Sequence, residues 1–304
     1  MTGRVLIGTA SWTDPSLIES GRFYPPDATT PEARLQFYAS QFPLVEVDSS
    51  YYGLPSQRNA ALWVERTPDT FIFDIKAFSI FTQHPTRPSS IPRDLREQLP
   101  AEVQAKRSLY YKDLPAATQD ALWERFGEAL LPLDSAGKLG VVLFQFPPWY
   151  MPGRESLAFL DQIAERLPQY TAAVEFRNPL WLDHEHAERT LAYLSERAMP
   201  YVCVDEPQGT SASVPPVVAA TAKTAVVRFH GRNAKAWASR GSSVAEKYDW
   251  LYSEEELAEW VAPIESLARE ASTVHVLMNN CREDKAVVNA KQLAMMLSTG
   301  TPNL

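Results

Sequence analysis

The chain has 304 residues, 45% hydrophobic and 22% charged, with a formal net charge of −8, a composition that suits one large buried core and excludes a disordered or fibrous chain. No apolar run approaches the length of a membrane span, and the first strand-like run begins almost at Met1, leaving no room for a secretory leader, so a cytoplasmic protein is expected. The acidic balance argues against broad capture of duplex nucleic acid, which leaves only a local basic groove as a route to such a partner.

Eight short runs rich in Val, Ile and Phe read as buried parallel strands, most of them separated by helical patterns. The first, Val5–Ala10, is followed by a helix over Pro31–Gln41. Next come Leu44–Ser50 with a helix over Gln57–Arg66, and Phe71–Ala77 with a helix over Thr118–Leu131. Val141–Pro147 precedes a helix over Glu155–Leu167, and Ala172–Arg177 a helix over Glu185–Ala198. After Tyr201–Glu206, the segment Pro207–Thr224 has little helical period, so the sixth helix is expected to be short or missing. Ala225–Gly231 with a helix over Ser253–Glu270, and Thr273–Asn280 with a helix over Asp284–Leu297, complete the series.

This alternation predicts right-handed βαβ units closed into a (β/α)8 TIM barrel, a single domain over residues 1–304. The rival is a doubly wound sheet, but no strand is followed by the G-x-G-x-x-G turn of its dinucleotide-binding form, so no nucleotide cofactor signature is present. The irregular stretch Gln83–Pro115, an insertion after the third strand, carries Arg87, Arg93, Arg96, Lys106, Arg107 and Lys112. It is expected either to overhang the barrel mouth as a lid or binding loop, or to be a solvated excursion.

Strand side chains alternate, so each run splits into a helix-facing and a barrel-facing set. The split sends Glu46, Asp48, Asp74, Lys76, Gln145, Glu175 and Arg177 inward, followed by Cys203, Asp205, Arg228, His230, His275 and Asn279. A barrel interior is normally apolar, and charges there are costly unless paired. Five carboxylates against the fixed cations Lys76, Arg177 and Arg228 leave surplus negative charge for a metal ion, a protonated carboxyl or a cationic ligand. A purely structural web of ion pairs is the competing reading, favoured if every inner charge has a partner. Asp74 and His275 lie early in their strands and suit support roles.

Glu46 and Glu175, on non-adjacent strands, are the candidate carboxylate pair for acid and base work, and His230 the candidate proton shuttle. Arg177 and Arg228 offer planar forks for an anion; Lys76 suits an anion or base role, or neutralises Asp74. Gln145, Asp205 and Asn279 complete the polar floor. A divalent metal is compatible with Glu46, Glu175, Asp205 and His230, if the fold makes them converge. The His184-x-His186 pair does not suit one, because neighbours two apart on a helix face different ways. Cys203 and Cys281, with no C-x-x-C, provide neither a zinc site nor a disulfide framework. Among the aromatics of the post-strand loops, Trp12, Tyr51 and Phe78 immediately follow strands and are expected at the ligand wall. A phosphate site on this fold would lie after strands seven and eight, where His230-Gly231-Arg232-Asn233 lacks a glycine-rich cradle.

Read together, Ile7-Gly8-Thr9-Ala10-Ser11-Trp12, Phe23-Tyr24-Pro25, Val45-Glu46-Val47-Asp48-Ser49-Ser50-Tyr51-Tyr52, Lys76-Ala77, His84, Phe144-Gln145-Phe146-Pro147-Pro148, Val174-Glu175-Phe176-Arg177, Arg228-Phe229-His230-Gly231, Asn279-Asn280 and Asn289-Ala290 resemble the YecE-like family, the domain of unknown function 72. The resemblance spans nearly the whole chain in order and implies a TIM barrel with its motif residues at strand ends; it implies no reaction. This chain departs where Ala10 stands at or beside the usual glycine, and where the 83–115 segment looks longer than in compact members. The expectation is an uncharacterised enzyme, a hydrolase or isomerase, using acid/base chemistry on a small polar or anionic, sugar- or nucleotide-like substrate, with or without a metal. The alternative is a non-catalytic barrel that binds a nucleic acid or protein through Arg93, Arg96, Lys106 and Arg107.

Overall fold

In a computed structural model, which describes residues 2–210, 213–239 and 241–299, the eight strand runs form one parallel sheet. They are β1 (Arg4–Ala10), β2 (Leu44–Val47), β3 (Ile72–Lys76), β4 (Leu139–Gln145), β5 (Ala172–Glu175), β6 (Val202–Asp205), β7 (Thr224–Phe229) and β8 (Thr273–Met278). Their order is β5-β4-β3-β2-β1-β8-β7-β6, and a parallel bridge from Val174 to Tyr201 brings β5 against β6 to close the barrel. The strands are short because their last polar residues already belong to turns. Asp48–Ser50, expected as strand, belong to a 3-10 turn over Asp48–Tyr51, and Arg177 and Glu206 lie beyond β5 and β6.

The helices follow the sequence signals closely where a cap is present. Thr30 caps the Pro31–Gln41 helix by accepting from the Ala33 amide at 3.1 Å, with Pro31 at the first turn where its missing N–H costs nothing. Ser56 caps Gln57–Glu65 in the same way through Asn59. The pattern over Ser253–Glu270 is two helices, Glu254–Ala258 and Val261–Glu270. No helix occurs among the described residues between β6 and β7. No helix of the described residues is long and apolar enough to cross a membrane.

Lateral register fixes which side chains share the interior, because residues side by side on parallel strands point the same way. Ala10 lies beside Glu46, Glu46 beside Asp74, and Gln145 beside Glu175. Val226 lies beside His275, and Arg228 beside both Val204 and Leu277. The lower layer is a closed polar pair: Asp74 accepts from His275 Nδ1 at 3.0 Å and from the Val141 amide at 2.8 Å. Lys76 therefore does not neutralise Asp74. Gly140 makes room for this pair, since a Cβ there would lie 2.2 Å from Asp74 Oδ1.

The 83–115 insertion is rooted on the outer helices. Its residues Thr86 and Leu109 exchange backbone hydrogen bonds at 2.8 Å, while Ile91, Leu95, Leu99, Val103, Tyr111 and Leu114 are buried. Tyr111 packs on Phe159 and accepts from Trp123 Nε1 at 3.0 Å. Its charge is partly matched already: Arg93 pairs with Glu97 and Lys106 with Asp113, and Asp94 binds Arg125 of the Ala116–Ser135 helix.

Candidate functional site

The C-terminal ends of the strands carry a buried ionic web centred on Arg228, which is fully buried like its two carboxylate partners. Its Nε and Nη2 donate to Glu46 at 2.9 and 2.7 Å as a planar fork, and its Nη1 donates to Glu175 and, at 3.3 Å, to Gln145. Glu175 also meets His230 Nε2 at 3.0 Å and Arg177 Nη1 at 3.3 Å, and Arg177 continues to Glu206 at 3.0 Å. At the mouth, Lys76 Nζ donates to Asp48 at 2.7 Å and lies 4.9 Å from the centre of the Tyr51 ring. Each inner charge thus has a partner among the described residues.

The environment drives the two candidate carboxylates apart. Burial pushes Glu46 above the ordinary carboxyl range, with Arg228 and Lys76 pulling the other way. Burial raises Glu175 too, but Arg228, His230 and Arg177 outweigh it and hold that group well below the range. Arg228 stays charged because Glu175 and Glu46 more than offset its burial, and Asp48 and Glu46 do the same for Lys76. Burial brings His230 down to about 4, reinforced by Arg177 and opposed by Glu175.

The hydrogen bonds assign the His230 tautomer. Ionised Glu175 can only accept, so Nε2 carries the proton; Nδ1 then accepts from the Asn279 amide at 2.9 Å. Both ring nitrogens are committed, so His230 is a fixed neutral spacer, not the expected open shuttle.

Other expectations are corrected by placement. Asp205 lies laterally beside Phe229, on the outer face. Its carboxylate accepts from Arg232 at 2.6 Å, from the Tyr252 hydroxyl at 2.6 Å and from Trp260 Nε1 at 2.7 Å. Val202 and Val204 fill the interior instead, and the inward acid of that strand end is Glu206. Cys203 shares the outer face with Asp205, its thiol against the Ala219 carbonyl. The Trp12 ring packs edge-on against Trp63 and Phe73, helix-side residues, and Phe78 is fully buried against Phe81, so neither forms a ligand wall. Arg232 is spent on Asp205 and Glu259, and Asn233 caps the Ala234–Ala238 helix, so no phosphate cradle follows β7. His186 pairs with Asp183 and His184 lies open to solvent.

The proposed metal donors do not fit a cation. Arg228 already lies between Glu46 and Glu175, Asp205 faces away, and no group of three or more metal-ligating side chains converges among the described residues.

What remains partly open is a rim. Asp48 is 31% and Lys76 13% exposed at the side chain, and Tyr51, Gln145 and Asn279 are half-buried. Trp149 and Tyr52 stand out at 57% and 66%. On the other side, Trp237 covers the Arg177 guanidinium at 4.7 Å, and Tyr248 packs edge-on against Trp237 and His230. Ser11, at the end of β1, holds φ at 102° while its amide donates to the Glu46 carbonyl, a strained backbone at the mouth. His84, Glu206, Trp149, Trp237 and Tyr248 belong to this rim or floor and lie outside the set read from strand parity.

A family model described as "Protein of unknown function DUF72" matches residues 6–303. The UPF0759 protein YunF of Bacillus subtilis (strain 168) is 33% identical over 297 residues, covering 96% of this chain and 94% of that one. Among solved structures, a DUF72 family protein from Enterococcus faecalis superposes with a TM-score of 0.79 at 27% identity, covering 99% of each chain. One from Thermotoga maritima superposes at 0.72 and 28% identity, covering 97% of this chain and 99% of that one.

Proposed function

The chain belongs to the DUF72 family, and from that premise we propose that its barrel mouth is the active site of an enzyme using acid/base chemistry on a small polar, sugar- or nucleotide-like substrate. The observation that carries this reading is the pair of fully buried carboxylates that share one arginine and are driven in opposite directions, Glu46 up and Glu175 down. Environments that split two carboxyls in this way separate an acid from an ionised partner.

In this reading Glu46 is the proton-carrying group and Glu175 the permanent anion that fixes Arg228 and His230. Because Glu46 is closed to solvent, its neighbours Lys76 and Asp48 touch the substrate and Glu46 supplies or takes the proton behind them. Gln145, Asn279 and Tyr51 line the same opening and orient the substrate, while Arg177, covered by Trp237, holds Glu175 and Glu206 from the other side.

Panels of chromogenic aryl glycosides and aryl phosphates provide the test, with Glu46→Gln and Glu175→Gln as variants. Loss of a positioned acid or base lowers turnover by roughly 100- to 10,000-fold, so turnover that survives in both variants would sink the assignment. A second reading, a purely structural web of ion pairs, is favoured by the complete pairing of the inner charges. It predicts neither binding nor turnover of any panel member, with the two Gln variants changing stability alone.

A further inference from the structure

Resting on the reading of the mouth as a ligand site, we infer that its ligand is a neutral, hydroxyl-rich ring held by His84, Lys76 and Asp48 between the faces of Tyr52 and Trp149, and not a phosphate ester or other anion.

The charges of the mouth leave no cation free for an anion. Each cation of the mouth is already matched: Lys76 by Asp48 at 2.7 Å, Arg177 by Glu206 and Glu175 at 3.0 and 3.3 Å, and Arg228 by Glu46 and Glu175. With Glu46 carrying its proton, the three carboxylates Asp48, Glu175 and Glu206 balance the three fixed cations, so a phosphate arriving here would be desolvated with no free cation to receive it.

His84 presents a neutral acceptor to the mouth. The Thr82 hydroxyl gives its own proton to the Ser79 carbonyl at 3.1 Å, so it accepts from His84 Nδ1 at 2.9 Å. That fixes the Nδ1–H tautomer and leaves the Nε2 lone pair without a donor among the described residues. Burial and the nearby Lys76 charge bring the ring down to about 4, opposed by Thr82, so it stays neutral at physiological pH. A neutral lone pair repels an oxyanion and welcomes an O–H. Beside it, the Lys76–Asp48 pair offers a donor and an acceptor 2.7 Å apart, the complement of vicinal hydroxyls, each of which both donates and accepts.

Aromatic rings wall these polar groups. Tyr52, Tyr51, His84 and Trp149 form a run of edge-to-face rings with centroids 5.1, 5.4 and 5.8 Å apart. Tyr52 and Trp149, at its two ends, are the exposed members. Exposed aromatic faces flanking polar groups suit a ring whose C–H faces are apolar and whose edge is polar.

Saturation-transfer NMR on the full chain tests this with xylose, glucose and cellobiose against glucose 6-phosphate and adenosine monophosphate. At least one neutral sugar is expected to bind, both phosphate esters to bind more weakly, and Trp149→Ala and His84→Gln each to weaken the sugar by about 10-fold. Nitrogen NMR of the histidines is expected to find His84 as the Nδ1–H tautomer in the free protein. Stronger binding of a phosphate ester, lost in Trp149→Ala, would overturn the ligand class while leaving the mouth as the ligand site. Silence from every neutral sugar, or sugar binding indifferent to both substitutions, would also overturn it.

Discussion

Replacing Arg228 by methionine removes the hub of the inner web and keeps most of its volume. The guanidinium is fully buried and makes hydrogen bonds to Glu46, Glu175 and Gln145. Its loss strands two buried carboxylates, and breaking a buried pair from one side costs about 3–5 kcal/mol. Spread over 304 residues at ~2.1 cal/mol/K each, this lowers Tm by roughly 5–8 °C. The pH dependence identifies the cause. With Arg228 gone, the folded-state pKa of Glu175 rises from below the unfolded value to above it and that of Glu46, already above, rises further, so the penalty is largest near neutrality and shrinks as pH falls and they protonate. Adding Glu46→Gln and Glu175→Gln to Arg228→Met should recover more than half of the lost stability. Calorimetry at several pH values measures all three proteins. An Arg228→Met variant within about 2 °C of wild type, or one whose deficit is the same at every pH, would refute the reasoning.

Further outcomes follow from the same geometry. His230 falls from 6.5 to about 4, so its contribution of ~3 kcal/mol is fully present above pH 6.5 and is lost as pH drops toward 4; urea titrations should find that slope reduced in His230→Gln. Asp205→Ala leaves the donors of Tyr252 and Trp260 unmatched and Arg232 still held by Glu259, and should cost about 3 kcal/mol without changing ligand binding at the mouth. Gly140→Ala forces a Cβ onto Asp74, an overpacking worth about 1–3 kcal/mol, visible in chemical denaturation and in the His275 ring resonances. Salt-dependent binding of duplex DNA is expected to be weak, and Arg93→Ala with Lys106→Ala should change it little, because both cations already have carboxylate partners.

The barrel was legible because parallel strands buried on both faces leave compact apolar runs with helical patterns between most of them. Inward parity is right for Glu46, Gln145, Glu175, Arg228, His230 and Asn279, where one face of the strand is uniformly apolar. It failed in β6, where both Val202 and Val204 face the barrel. No helix among the described residues covers the segment after β6, and Asp205 is satisfied on the outer face by Arg232, Tyr252 and Trp260, which sequence spacing does not bring together. His84 was legible as a motif residue, but its role was not. It lies in an aperiodic loop, and its significance comes from Thr82, Lys76 and the two flanking rings rather than from any spacing.

The most direct test of the central claim is carbon-detected NMR of the glutamate carboxyls, with Glu46 and Glu175 assigned by single Gln substitutions, across an acid titration. The account predicts that Glu46 takes up its proton above the ordinary carboxyl range while Glu175 stays ionised until well below it. Two carboxyls titrating together at the ordinary value would contradict the division of labour on which the acid/base reading stands.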